Sequence, residues 1–230
     1  MTEAPIRIMT WNIHGAIGPD RRFDLQRVID LVRRHEPDIV ALQEVDSRRC
    51  DSSPFERLAE ALGDHSAAAR TVIAPGGEYG HMLISRWPMA EARLHDLSIW
   101  RYEPRMAIET VIDTPLGPLH LVAAHLGLSL WERYRQASIL GALARSSGQP
   151  MTTMLGDFND WIWNGPVRRG LMRALPSYSS HVTFPSWAPA LKLDRIYCGG
   201  EARLLRSWTD KAARKASDHL PIIGEIGRVT

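Results

Sequence analysis

The chain has 230 residues, 44% of them hydrophobic and 23% charged, with a formal net charge of +2. That is ordinary for a soluble globular enzyme and long enough for one large core, expected as a single domain over residues 1–230. The near-neutral balance excludes any demand for a nucleic-acid partner without forbidding one, because charge can be local.

No apolar run reaches the length of a bilayer span, so no integral membrane segment is expected. Met1 to Pro5 lacks the basic and apolar regions of a signal peptide. Cys50 and Cys198 lie far apart and form no metal spacing. They suggest a reducing, cytoplasmic setting, with a single bridge as the alternative. Nothing implies a partner protein, and a monomer is expected.

In chain order, Ile6 to Trp11 reads as a buried strand ended by Asn12, followed by a loop at Gly15 and Gly18-Pro19-Asp20. Leu25, Val28, Ile29 and Val32 fall at helical spacing between Phe23 and Arg34, with Asp24 as a cap or first-turn residue. Glu36-Pro37-Asp38 breaks that helix. Ile39 to Leu42 is a second strand, with Gln43-Glu44-Val45-Asp46 at its end. A short helix runs from Phe55 to Leu62, and His81 to Ser85 is a strand closed by Arg86-Trp87-Pro88. Met106 to Ile112 is a strand. Pro115 to Pro118 turns into Leu119 to Ala124, with His125 at that strand's end. Trp131 to Ala144 is a long helix.

Met151 to Leu155 is a buried strand that stops at Gly156-Asp157-Phe158-Asn159. Leu193 to Cys198 is another, turning at Gly199-Gly200 into a partner strand from Ala202 to Arg206. Ser217-Asp218-His219 precedes the last strand, Leu220 to Ile226. Hairpins mixed with helix crossovers predict mixed sheets with helices outside, not a parallel doubly wound sheet.

Polar residues thus collect at six strand ends: Asn12, Glu44, His125, Asp157 with Asn159, Asp194, and Asp218 with His219. Cleaving a phosphodiester with water needs oxygen ligands for a hard cation, a group to aim or deprotonate the water, and donors for the transition-state charge. The inventory holds all three. It has no G-x-S-x-G nucleophile and no Cys/His zinc spacing.

Thr10-Trp11-Asn12-Ile13, Leu42-Gln43-Glu44-Val45, Ala124-His125-Leu126, Leu155-Gly156-Asp157-Phe158-Asn159, Leu193-Asp194-Arg195-Ile196 and Ser217-Asp218-His219-Leu220-Pro221 occur in that order. Together they resemble the endonuclease/exonuclease/phosphatase superfamily with its deoxyribonuclease-I-like fold. His125-Leu126-Gly127-Leu128, Glu132 to Gln136 and Thr183 to Ser186 look most like a bacterial subgroup of small metal-dependent hydrolases.

The resemblance implies an α/β (α+β) four-layer sandwich: two packed mixed β-sheets flanked by helices. It implies a phosphoesterase using Mg²⁺, or Mn²⁺, held by Glu44 with Asn12 and Asp218. Asp157 would orient or deprotonate the water, Asn159 and His125 would hold the phosphate, and Asp194 would orient His219 at the scissile group. Whether Asp157 or His219 is the base stays open. Where apurinic-site endonucleases read Asn-x-Asp, this chain reads Asn12-Ile13-His14, which weakens the case for a repair nuclease.

The expected substrate is a phosphodiester: a lipid headgroup or other small molecule, or alternatively DNA or RNA. A catalytically silent binding domain is the third reading. Around the site, His14 is either a substrate contact or a loop residue. Arg105 either binds phosphate or pairs with Glu103 or Glu109. Arg135 and Gln136 read as members of a buried polar network. Trp131, Trp161, Trp163 and Trp187 either pack in the core or ring the cleft, where they would stack bases or touch an acyl or membrane surface. The basic residues from Arg203 to Lys215 read as a solvated loop or a phosphate contact.

Overall fold

The structure, a computed structural model, describes residues 4–48, 50–162 and 165–229. β1 (Ile6–Asn12), α1 (Leu25–His35) and β2 (Ile39–Asp46) form the first strand–helix–strand unit. Asp24 caps α1 by accepting from the backbone N–H groups of Gln26 and Arg27. α2 (Pro54–Leu62) leads to β3 (His65–Ala74) and β4 (Gly77–Ser85). Then come β5 (Arg93–Asp96), β6 (Met106–Thr114), β7 (Gly117–His125), α3 (Leu130–Ser146), β8 (Met151–Asp157) and α4 (Pro166–Leu171). β9 (Ser177–Tyr178), β10 (Asp194–Gly200), β11 (Ala202–Trp208) and β12 (Ile222–Arg228) complete the chain. No helix among the described residues is long and apolar enough to cross a membrane.

The strands make two six-stranded sheets, ordered β11-β12-β1-β2-β4-β3 and β5-β6-β7-β8-β10-β9. Each is mixed: β1/β2 and β7/β8 are parallel pairs joined across α1 and α3, and their neighbours run antiparallel. Strand alternation sorts the side chains. Ile6 and Ile8 of β1, Leu119 and Leu121 of β7 and Leu155 of β8 fill the layer between the sheets. Met9, Trp11 and Leu42 face the opposite way and pack on α1 and α2, while Met154, Phe158 and Tyr197 pack on α3 and α4. The result is the four-layer sandwich expected from the sequence.

Two expectations are corrected. β11 is not the hairpin partner of β10: it pairs with β12 in the other sheet, because both edges of β10 are taken by β8 and β9. The chain crosses between sheets at Gly200 (φ 64), where Glu201 N–H bonds to the Pro150 carbonyl. Secondly, β3, β5, α4 and β9 escape notice in the sequence. β3 is alanine-rich at its start and becomes a strand through pairing along β4.

Gly156 is required where β7 and β8 converge on the site. Its φ of 153 lies in a region open to glycine, and a Cβ there would sit 1.9 Å from the Ala124 carbonyl oxygen. The backbone strain alone would cost about 1–3 kcal/mol. Gly156→Ala is therefore expected to lower the thermal midpoint sharply or abolish soluble protein; an unchanged midpoint in differential scanning calorimetry would refute this.

Candidate active site

Most of the proposed site residues are terminal members of rows that face the gap between the sheets. Asn12 follows Ile6, Ile8 and Thr10; His125 follows Leu119, Leu121 and Ala123; Asp157 follows Met151 and Leu155; Asp194 precedes Ile196 and Cys198. β1, β7 and β8 deliver these residues at their C-terminal ends. β10 and β12 run antiparallel to them, so Asp194 and the Asp218-His219 pair arrive at the same rim at strand starts.

Glu44 departs from the expectation of a strand end. β2 continues to Asp46, and its register slips between Leu42 and Val45. Plain alternation would send Glu44 out with Leu42. The bulge, with Glu44 at φ 56, turns it into the cleft instead. His14 (φ 48) and Asn159 (φ 51) share this left-handed conformation. Such strain at roughly 1–3 kcal/mol per residue persists where surrounding contacts impose it, and that is commonly at functional sites.

The two sheets meet through these side chains. Asn12 Nδ2 donates to Glu44 Oε1 (2.8 Å) and, across the sheets, to Asp157 Oδ2 (3.0 Å). His219 Nδ1 lies 2.9 Å from Asp194 Oδ2, and its Nε2 lies 3.9 Å from Asp157 Oδ2. Asn159 N–H donates to Asp157 Oδ1 (2.9 Å), and Asn159 Nδ2 donates to the Leu126 carbonyl (2.9 Å). His125 Nε2 stands 3.7 Å from Asp157 Oδ2 and 4.0 Å from Glu44 Oε1. His14 Nδ1 sits between Glu44 Oε2 (3.5 Å) and Asp218 Oδ1 (3.6 Å).

These contacts divide the charges. Burial and the Asp194 charge raise Asp157 to about 6, against the pull of His219 and the Asn12 bond. Burial opposes charging of His219, but Asp194 beside it prevails and raises the imidazole to about 10. Burial likewise works against ionised Glu44, yet the contacts from His14 and Asn12 hold it down at about 2. His14 is raised by its contact with Glu44. At neutral pH, Glu44 is ionised, His219 is protonated and Asp157 titrates nearby.

Arg105 is buried. It pairs with Glu103 (3.4 Å), and its Nη1 meets His125 at 2.9 Å from Nδ1 and 3.3 Å from Nε2. Glu109 is engaged elsewhere, by His95 and His120. A guanidinium can only donate, so the nearer ring nitrogen accepts and the ring proton belongs on Nε2, facing Asp157. Burial and the Arg105 charge hold His125 neutral, well below 6.5. The ¹⁵N shifts of His125 should therefore remain those of a neutral ring well below pH 6.5, with Arg105→Met moving the titration upward. A ring that titrates near 6.5 in the wild type would contradict this geometry.

Trp131, Trp161 and Trp187 are exposed, so the core-packing alternative fails for them. Trp163 lies outside the described residues. On α3, Gln136 is buried as expected, but Arg135 is exposed over Trp131 and the buried arginine is Arg133. Arg133, Gln136, Ala137 and Leu140 fall on one helical face, a spacing legible in the sequence. In the basic segment, Arg203 and Arg206 lie on β11 and not in a loop; Arg206 is taken by Glu225 and Arg203 by carbonyls of its own turn.

Several supporting roles go unassigned in the sequence, although Trp11, Thr183, Phe184 and Ser217 stand in its motifs. Thr183 Oγ1 donates to Asp194 Oδ2 (2.6 Å), and the Phe184 ring packs 4.9 Å from His219. Ser217 Oγ bonds the Asn12 carbonyl (2.7 Å), and Trp11 Nε1 bonds the His219 carbonyl (3.0 Å). Tyr79 lines a cavity of about 410 Å³ with Glu44 and His14. The motifs do not reveal these roles, because each depends on a partner distant in sequence.

The donor set fits a hard divalent cation. Glu44, Asp157 and Asp218 offer carboxylate oxygens around the Asn12 amide, and only one Glu44 oxygen receives an N–H bond from Asn12. Oxygen donors of this kind suit Mg²⁺ or Mn²⁺, while His14 Nδ1 faces two of the carboxylates as a partner. Asp157, Asp194 and His219 also place ligand atoms within 4.8 Å of one another.

Comparison with known proteins agrees with the fold. The model of the endonuclease/exonuclease/phosphatase family matches residues 9–219. The uncharacterized protein YbhP of Escherichia coli K12 is 32% identical, over 96% of this chain and 95% of its own. A solved endonuclease/exonuclease/phosphatase from Beutenbergia cavernae superposes with a TM-score of 0.79 at 22% identity, over 98% of this chain and 72% of that one. The catalytic domain of human Nocturnin, solved with a bound sulfate anion, gives 0.74 at 17% identity over 100% and 97%. The chain belongs to the endonuclease/exonuclease/phosphatase family, and is thus a hydrolase of phosphoester bonds.

Proposed function

We propose that this protein is a divalent-metal-dependent phosphodiesterase that hydrolyses a lipid headgroup or another small phosphodiester by attack of water. The observation that carries this reading is the Asp157 carboxyl set between two opposed environments, Asn12 with Glu44 on one side and His219 with Asp194 on the other.

Glu44 and Asp218 are the residues to hold Mg²⁺ or Mn²⁺, with Asn12 fixing Glu44 through its amide N–H. Bound there, the ion supplies charge neutralisation at the phosphate oxygens. Asp157, bonded to Asn12 on one side and facing His219 on the other, suits a base that takes the proton of the attacking water. His219, raised to about 10, is already protonated and suits the role of donor to the developing phosphate charge. Water gives its proton to Asp157 as its oxygen bonds phosphorus, the bond to the leaving oxygen breaks, and that oxygen takes the proton of His219. Asn159 keeps a second amide hydrogen beyond the one bound to Leu126, and His125 presents its Nε2–H. Both therefore suit the holding of phosphate oxygens.

The test is a side-by-side screen of bis-nitrophenyl phosphate, phospholipids, inositol phosphates, DNA and RNA, each with Mg²⁺ or with EDTA. The expected result is diester cleavage that the chelator abolishes. No chelator-sensitive activity on any substrate would overturn the proposal. Cleavage confined to DNA or RNA, falling steeply with salt, would replace it with the nuclease reading.

A further inference from the structure

Beside the cleft, two short segments expose large apolar side chains. In residues 98–104, Trp100 is 81% exposed and Tyr102 is exposed as well. In residues 128–134, Leu128 is 71% and Trp131 54% exposed, with Leu130 and Tyr134 also open to solvent. Single exposed apolar residues are ordinary, but several on two segments tied at their necks are of the kind that marks an interaction surface.

One side chain fastens the segments together. Gln136 donates from Nε2 to the Leu97 carbonyl (3.0 Å) and accepts at Oε1 from Gly127 N–H (2.9 Å). The first segment is closed at its neck by Leu97 N–H to the Arg105 carbonyl (2.8 Å) and by Ser98 Oγ, which accepts from Arg105 N–H (3.2 Å). The second is fixed by the Ser129–Glu132 capping box and by Arg133, which donates to the Leu128 carbonyl. Both are anchored at the site: Arg105 holds His125, and Leu126, two residues before Leu128, accepts from Asn159. The apolar groups are thus held outward on rigid necks next to the phosphate-holding residues.

We propose that this face docks on an anionic phospholipid bilayer and seats the cleft over headgroup phosphodiesters, which are its substrate. This rests on the phosphodiesterase reading and specifies its substrate class. Composition favours a bilayer. Trp100 carries the Arg101 guanidinium 4.3 Å from its ring centroid, and Trp131 carries Arg135 at 5.6 Å. Indole with guanidinium at one depth is the pairing suited to the headgroup layer, where aromatic rings sit and cations meet lipid phosphates. Leu128 and Leu130 suit acyl chains. A single-stranded nucleic acid would stack on the tryptophans but gain nothing from two leucines.

The test is sedimentation of the whole protein, in EDTA to prevent turnover, with vesicles of phosphatidylcholine alone or mixed equally with phosphatidylglycerol. The wild type should pellet with the mixed vesicles. A Trp100→Ser/Leu128→Ser double variant should lose roughly tenfold in partitioning, as expected when two large apolar groups leave an interface. It should hydrolyse soluble bis-nitrophenyl phosphate as the wild type does. The surface is refuted if the wild type stays in solution, if the double variant binds vesicles equally, or if the patch instead captures a single-stranded oligonucleotide and no vesicle. Soluble-diester hydrolysis without vesicle binding sinks the surface and spares the phosphodiesterase reading. Vesicle binding lost in the double variant, with no chelator-sensitive hydrolysis of any diester, supports the surface and sinks that reading.

Discussion

Glu44→Gln and Asp157→Asn should each reduce diester turnover by roughly 10²–10⁴-fold, the scale associated with losing one acid–base group, and both should stay folded. The two lose activity for different reasons. Glu44 is the carboxylate that the β2 bulge turns into the cleft, and its amide replacement keeps the shape while removing the negative charge a cation needs. Asp157 is fully buried, and burial already pushes its carboxyl up to about 6. Asparagine removes the buried charge without changing the shape, so the thermal midpoint should hold or rise as activity falls. Retained turnover in both purified variants would sink the site assignment. A collapse in thermal midpoint would show these residues to be structural instead.

The second large effect concerns the Asp194–His219 pair and is read as stability against pH in metal-free protein. His219 is raised from 6.5 to about 10 in the folded state. A group raised on folding stabilises fully below its unfolded value, and that contribution fades as pH climbs through the folded value. The unfolding free energy from urea titration should therefore decline between about pH 6.5 and 10, by an amount on the order of a few kcal/mol at about 1.4 kcal/mol per unit. Asp194→Asn removes the charge that sustains the raised imidazole, so its decline over the same window should be shallower. Parallel slopes in wild type and variant would show that Asp194 does not govern His219. Thr183 belongs to the same unit through its bond to Asp194, which explains why a loop threonine is wholly buried.

Much of this protein is legible in its residues because strand alternation is a local rule. Ile6, Ile8, Thr10 and Asn12 have one parity, and so do Leu119, Leu121, Ala123 and His125. A row that begins apolar and ends polar already says that its last member leaves the core at an edge. The helical spacing of Leu25, Val28, Ile29 and Val32, the break at Pro37 and the ordered motifs from Asn12 to His219 are equally local. They sufficed for the mixed sheets, the outer helices and the list of polar groups at strand ends. The buried arginine of α3 is Arg133, two positions before the expected Arg135, although the buried face through Gln136 and Leu140 carries the signal for it.

What the tertiary structure alone decided was which of these groups meet. The turn of Glu44 into the cleft depends on a register slip against β4, and pairing register is set by the partner strand. Asp194 reaches Asp157 because β10 runs antiparallel to β8, and β11 leaves for the other sheet because β10 has no free edge. Asn12 meets Asp157 only across the gap between sheets. The outward presentation of Trp100 and Leu128 depends on Gln136 tying two segments distant in sequence. Local sequence sets conformation and parity, whereas distances between remote residues, and the burial and charge that tune Asp157 and His219, exist only once the sheets have packed.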